Sequence, residues 1–240
     1  MRVLAIETAT IEVGVAIADE TGPLATVASR PGRLQAETLH PAIAEACRVA
    51  GLGLGEVDAI AVDVGPGLFT GLRVGIAAAK ALAAALGVKI VTATSLEVLA
   101  SASPPGSGIV VPVIDMRRGE VAWLALSTPG SDVRVGAPAE LAEDLAGSQP
   151  RADAQGVAPI LLVGDGALRY REFLARALSP EPVFGGSEMA APPVVSLAVL
   201  AVAAMKSGRC CDPAEVRPLY GREADARINW TSRHDRGAVS

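Results

Sequence analysis

The sequence predicts an α/β fold built from two similar lobes, and three observations carry that prediction. The run Ala59-Ile60-Ala61-Val62-Asp63-Val64 reads as a strand, stops at Gly65-Pro66-Gly67 and passes into an Ala-rich helical run from Ile76 to Leu86, the form of an α/β crossover. An apolar strand ending in an acid, a short polar turn and an apolar return occurs twice, at Ala5-Ile6-Glu7…Val15-Ala16-Ile17 and at Val113-Ile114-Asp115…Val121-Ala122-Trp123. Finally, Ile160-Leu161-Leu162-Val163-Gly164-Asp165-Gly166 leads into a helix as Ile60 to Gly67 does. The two passes lie roughly 100 residues apart, which predicts a duplicated β-β-β-α-β-α lobe.

Taken in order, Val3 to Glu7 is the first strand, Thr8-Ala9-Thr10 turns it, and Val13 to Ala18 returns. Asp19-Glu20-Thr21-Gly22-Pro23 is a second turn before a third strand near Leu24 to Ser29. Arg30 to Gln35 is a loop, followed by a helix ending near Val49-Ala50 before Gly51, with Pro41 suited to its first turn. In the Gly-rich turn, Gly relaxes the backbone, Pro66 fixes one φ, and Thr70 is a good N-cap for the next helix. Val88 to Thr92 is a further strand, and Ser95 N-caps a helix to about Ser101. After Ser103-Pro104-Pro105-Gly106, the second pass runs Ile109 to Asp115, the turn Met116-Arg117-Arg118-Gly119, and Glu120 to Ser127. Gly147 to Pro159 reads as a flexible surface loop, Leu168 to Leu178 as a helix, and Val194 to Lys206 as a helix closing the second lobe. The expected boundaries are 1–103 for the first lobe, 104–222 for the second, and 223–240 for a flexible polar tail.

Composition narrows the function classes. Half of the 240 residues are hydrophobic, the formal net charge is −5 and only 3% are aromatic. That composition argues against a free-standing nucleic-acid binder, which needs a basic face and stacking rings, while leaving room for a local basic patch. Cys47, Cys210 and Cys211 form neither a disulfide framework nor a CxxC zinc pair, which fits a reducing compartment. The N-terminus, with Glu7 so early, lacks a signal h-region, and the longest apolar runs fall short of a membrane span, so the chain reads as cytoplasmic.

The candidate chemistry is sparse. Glu7 and Asp115 end the two lead strands and could face each other across a cleft. In nucleotide-using relatives of such a fold, acids at these places hold Mg²⁺ and the hairpin turns hold phosphate. The competing reading makes each acid a turn cap, and it is favoured because Thr8-Ala9-Thr10 has no Gly to wrap a phosphate. In the second turn, Arg117 and Arg118 could meet an anion. The turn from Gly65 to Gly75 matches neither GxxxxGK[ST] nor GxGxxG, so packing explains it better than nucleotide binding. His40 has Ala at positions 36 and 44, so it has no helical partner for a metal, and His234 lies in the tail. No nucleophile motif accompanies either His. We expect no catalytic, cofactor-binding or metal-binding residue.

Several stretches together resemble one family. They are Leu4-Ala5-Ile6-Glu7-Thr8-Ala9-Thr10, Gly65-Pro66-Gly67-Leu68-Phe69-Thr70-Gly71-Leu72-Arg73-Val74-Gly75, Thr94-Ser95-Leu96-Glu97, Val113 to Val121 and Pro218-Leu219-Tyr220. Their order and spacing are similar to those of the TsaB (YeaZ) family of bacterial tRNA threonylcarbamoyladenosine biosynthesis proteins. The resemblance implies an actin/Hsp70/sugar-kinase-like fold of two RNase H-like lobes. It implies a non-catalytic partner of the enzyme TsaD, which transfers a threonylcarbamoyl group to the adenosine next to the anticodon in tRNAs reading codons that begin with A. The ATPase TsaE completes that assembly, tRNA is met indirectly through TsaD, and a homodimer is the alternative for the free chain. No cofactor and no membrane are implied. The family usually has Asp where Glu7 stands, often His near Gln35, and a smaller residue at Leu68.

Gly71, Gly75, Ala79 and Ala83 recur every four residues and form a smooth stripe on one helix face. Gly71, Leu72, Gly75, Ile76, Ala79 and Ala83 are therefore the expected surface for a helix of TsaD or of a second copy, with packing on the chain's own sheet as the competing reading. A free-standing ATPase or kinase of the same fold, and a glycoprotease-like peptidase, are the alternative functions.

Overall fold

Residues 1–30, 34–125, 132–147 and 159–220 are described by the structure, a computed structural model. They form two five-stranded sheets with the same plan. The first runs in the order β3-β2-β1-β4-β5, from β1 (Val3–Glu7), β2 (Val13–Asp19), β3 (Gly22–Ser29), β4 (Ala59–Asp63) and β5 (Lys89–Ala93). The second runs β10-β9-β6-β7-β8, from β6 (Ile109–Arg117), β7 (Glu120–Leu124), β8 (Val133–Gly136), β9 (Ile160–Val163) and β10 (Val183–Phe184). In each, the first three strands are an antiparallel meander and the last two join parallel to its lead strand. The duplication expected from the sequence is thus a shared topology.

Alternation along the strands decides what each sheet face receives. In β1, Leu4 and Ile6 point to the face covered by α1 (Gln35–Ala50) and α2 (Phe69–Leu86). Val3 and Ala5 point to the other face, with Ala16, Ala18, Ala59 and Ala61 beside them. That row of small side chains lets α7 (Val194–Lys206) lie close, through Leu197, Ala198 and Ala201. A Cβ placed on Gly14 would come 2.8 Å from Val194 Cβ. The helix at 194–206 was expected to close the second lobe; it packs instead on the first sheet. The next residues follow it: Cys211 bridges Ile90, Val216 is buried in the first core, and the Leu219 N–H donates to Val64 O. Conversely, α3 (Ser95–Ser101) places Leu96 and Leu99 in a core with Ile114 and Val163 of the second sheet. Helices α3 and α7 also touch each other, so they lie between the sheets. The outer face of the second sheet is covered by α4 (Pro138–Gly147) and α6 (Arg171–Ala177), with Leu141, Leu145 and Leu174 in its core.

Several local expectations are corrected. Pro41 lies inside α1 rather than in its first turn, because the helix begins six residues earlier at Gln35. It has no N–H to offer the carbonyl one turn back, so it interrupts the ladder at an exposed position. The N-cap of α2 is Leu68, not Thr70, and that of α3 is Thr94, not Ser95. Thr94 and Glu97 form a reciprocal capping box, which frees the Ser95 hydroxyl for another partner. The helix read as 168–178 is broken at Tyr170 into α5 (Asp165–Arg169) and α6. At 18 residues, α2 is long and apolar enough, by length and composition alone, to cross a membrane, contrary to expectation. It is docked as a core helix, with six residues buried on the first sheet. The loop expected at 147–159 and the tail expected at 223–240 fall almost wholly outside the described residues.

Candidate functional site: a closed acid pair and the face of a docked helix

The acid ending β1 does not meet the acid ending β6. Glu7 Oε1 accepts a hydrogen bond of 2.7 Å from the Ala9 N–H, so it caps its own turn. Its other carboxyl oxygen meets Asp63, the acid that ends the neighbouring strand β4. Asp63 Oδ1 accepts from the Gly65 N–H at 2.7 Å and from the Ser95 hydroxyl at 2.8 Å. Glu7 Oε2 and Asp63 Oδ2 are buried without a hydrogen-bond partner. Two carboxyls in one dry space disfavour a second negative charge. Burial, and then the Asp63 charge, hold the Glu7 carboxyl well above the usual carboxylate range. Burial likewise raises Asp63.

The turn after Glu7 is covered. The Thr8 hydroxyl donates to Gly71 O at 2.8 Å, and the Leu68 N–H donates to Ala9 O at 2.7 Å. A Cβ at Gly71 would collide with Thr8 O, one at Gly67 with Ala9 O, and one at Gly75 with Thr8 Oγ1. The glycines of the Gly65–Gly75 stretch are therefore required by the approach of α2 to the β1–β2 turn. A magnesium–nucleotide complex does not fit these residues. It needs an ionised carboxylate at the strand end and free N–H groups in the turn. Here burial disfavours the Glu7 charge and the turn is sealed beneath a helix.

In the second lobe, Asp115 also caps its turn, accepting from the Arg117 N–H at 3.0 Å. Its Oδ2 is reached by two guanidinium groups, Arg117 Nη1 at 2.8 Å and Arg169 Nη1 at 3.2 Å. Arg117 and Arg118 both have positive φ, at 65° and 52°, a conformation that long side chains adopt at a cost. Asp165 Oδ1 accepts from the Asp115 N–H at 2.8 Å. Around this acid the site has the chemistry of an anion receptor rather than a cation receptor. Among the described residues no three His, Cys, Asp or Glu side chains converge as metal ligands.

Gly71, Leu72, Gly75, Ile76, Ala79 and Ala83, expected as a partner surface, are all buried within the monomer. Leu72, Ile76, Ala79 and Ala83 join the core between α2 and the first sheet. The chain's own sheet fills the stripe, so these six side chains present nothing to a partner. The opposite face of the helix is exposed and nearly free of charge: Ala77, Ala81, Ala84 and Ala85 are exposed, and Val74, Ala78 and Leu82 are partly so. At the N-terminal end of α2, Arg73 lies 3.7 Å from the centroid of the half-exposed Phe69 ring and donates from Nε to the Tyr220 hydroxyl at 3.2 Å. Sequence reasoning missed Asp63, Arg169 and this cluster. Asp63 carried a signal, since it ends β4 as Glu7 ends β1; Arg169 and Tyr220 reach their partners only through the tertiary fold.

Comparison with known proteins agrees with this geometry. The family model described as TsaD, tRNA N6-adenosine threonylcarbamoyltransferase, matches residues 27–230. The chain is similar to the tRNA threonylcarbamoyladenosine biosynthesis protein TsaB of Bacillus subtilis, 25% identical over 239 residues, covering 96% of this chain and 98% of that protein. It is 33% identical over 125 residues to the Escherichia coli protein of the same name, covering 51% of this chain and 54% of that one. Among solved structures, a protein from Pseudomonas aeruginosa described as similar to peptidase YeaZ superposes with a TM-score of 0.76 at 28% identity, covering 92% of this chain and 99% of that one. The ethanolamine utilization protein EutJ of Carboxydothermus hydrogenoformans shares the fold alone, with a TM-score of 0.50 at 16% identity over 83% of this chain and 90% of that one. The paired sheets are those of the actin/Hsp70/sugar-kinase-like fold. With most of its length matched by the TsaD family model and its relatives named TsaB and YeaZ, the chain belongs to the TsaB/YeaZ family.

Proposed function

We propose that this chain is a non-catalytic subunit of the machinery that makes threonylcarbamoyladenosine in tRNA. It binds and activates TsaD, which carries out the transfer to the adenosine next to the anticodon, and it works alongside TsaE. The names of its relatives supply the pathway. The observation that carries the subunit reading is the outward face of α2. Four exposed alanines on an 18-residue helix, flanked by Val74 and Leu82, form an apolar surface with little side-chain entropy to lose on docking. Small side chains let a partner helix approach closely. The surface lies opposite the stripe first expected to serve.

The closed acid pair supports the non-catalytic half of the proposal. A free-standing ATPase or kinase would need Glu7 ionised and its turn open; burial disfavours the Glu7 charge and a helix covers the turn. Ala81→Glu places a charge in the centre of the proposed interface without touching the core, since Ala81 is exposed. The variant should keep the parent melting temperature, fail to co-elute with TsaD on size exclusion, and fail to stimulate tRNA modification in a reconstituted reaction. Co-elution and full stimulation by Ala81→Glu would defeat this interface. Full-rate modification with the chain left out would defeat the subunit reading itself.

A further inference from the structure

The second lobe carries a basic, ring-bearing groove that the partner reading does not use. Arg169, Arg171 and Arg176, with Tyr170 and Phe173 between them, line a concavity of about 640 Å³ along α5 and α6. Arg117 is joined to its rim, because it and Arg169 share one oxygen of the buried Asp115 carboxylate. The four guanidiniums outnumber the nearby acids Asp115, Asp165 and Glu172, leaving a net positive charge. Glu172 lies 3.8 Å from Arg176, but both are almost fully exposed, and such a pair contributes little. The acids of the adjoining helix α4 do not cancel the charge: Glu140, Glu143 and Asp144 line a separate concavity with Trp123 and Arg134. Phe173 is 44% exposed in the midst of these arginines. Arg169 lies 5.8 Å from the Tyr170 ring centroid and Arg171 lies 5.1 Å from that of Phe184.

Arginines are common in this chain but rings are not, at 3% of residues. Their meeting in one groove selects a ligand that is both anionic and flat. We propose that this groove binds single-stranded RNA, with phosphodiesters on Arg117, Arg169, Arg171 and Arg176 and a base against Phe173. Cations around an exposed ring suit a single strand, whose bases are free to stack, better than a duplex, whose bases are not. The choice of RNA over DNA rests on the family's place in tRNA chemistry. The proposal needs no contact with TsaD, so the test uses the full 240-residue chain by itself.

Fluorescence anisotropy with a labelled single-stranded RNA, titrated at several salt concentrations, reads the site. The parent chain should bind, and binding should weaken as salt rises. The double variant Arg171→Glu, Arg176→Glu alters two exposed side chains. It should lose tenfold or more in affinity and shallow the salt slope by about 1.4, from roughly 0.7 per phosphate contact. Phe173→Ala should lose roughly 5- to 100-fold at unchanged salt slope, the loss expected of one stacked base. All variants should melt with the parent. A flat titration of the parent, equal binding by the charge-reversed chain, tighter binding of a duplex of the same sequence, or selective binding of an acidic peptide would each overturn the proposal.

Discussion

Gly75→Ala adds one methyl group at a close contact between α2 and the β1–β2 turn. In a free helix the change should stabilise by about 1 kcal/mol, because Ala loses less backbone entropy than Gly. Here the new Cβ collides with Thr8 Oγ1, while Thr8 Cβ and Ile6 Cγ2 stand at an ordinary 3.5 Å. The obstruction is therefore the hydroxyl alone. Pushing it aside breaks its 2.8 Å hydrogen bond to Gly71 O, worth about 1 kcal/mol net. Overpacking adds about 1–3 kcal/mol. The balance is a loss of about 2 kcal/mol, or a fall in melting temperature of roughly 4–8 °C for a chain of this size. Thr8→Ala alone should cost about 2 kcal/mol, the hydrogen bond and the buried γ-methyl together, while Gly71 O keeps its place in the helix ladder. The double variant opens the space the methyl group needs and should be no less stable than Thr8→Ala. Urea midpoints of the four chains, followed by circular dichroism, give the coupling directly. Gly75→Ala at or above parent stability, or additive losses in the double variant, would refute this account of why glycine stands there. Gly75→Leu should fail to fold, because its side chain has no room beside Thr8.

Glu7→Gln replaces the titratable carboxyl by a neutral amide that can donate to Asp63 at every pH. A carboxyl raised in the folded chain contributes stability at pH below its ordinary range and loses it as pH rises through the raised value. The parent should therefore soften towards alkaline pH while Glu7→Gln holds a flatter profile, read from urea midpoints across pH; parallel profiles would show that the pair does not titrate. Asp115→Asn removes the charge on which Arg117 and Arg169 converge and should cost about 1–3 kcal/mol in urea unfolding. An unchanged midpoint would mean that the two guanidiniums are held by other contacts.

The plan of the fold was legible because it rests on local rules. Strand alternation, the acid near the end of each lead strand and the Gly-rich passage into α2 are readable within a dozen residues, although α2 begins at Phe69, seven residues before the expected helical run, and β6 runs on to Arg117. What was not legible depends on which surface an element meets. The Gly71–Ala83 stripe has the same pattern whether it docks on its own sheet or on a partner, and only Thr8 and Ile6, far back in the chain, decide the matter. Likewise α7 is apolar nearly all round, so nothing in its own residues says that the alanines of β1, β2 and β4 will receive it. Pro41 misplaced a helix start because a proline in a first turn is the commoner case. The acid pair was missed because strands β1 and β4 are neighbours only in space.

The late arrival of α7 has a consequence for how this chain is made. A ribosome exposes Val3 and Ala5 long before it synthesises Leu197 and Ala201, which cover them. Until then one side of the first sheet is a greasy slab open to water and to neighbouring nascent chains. Closing so long a loop is slow relative to making local contacts. The first lobe therefore reaches its finished form only after α7 has been made, and that helix acts as its latch.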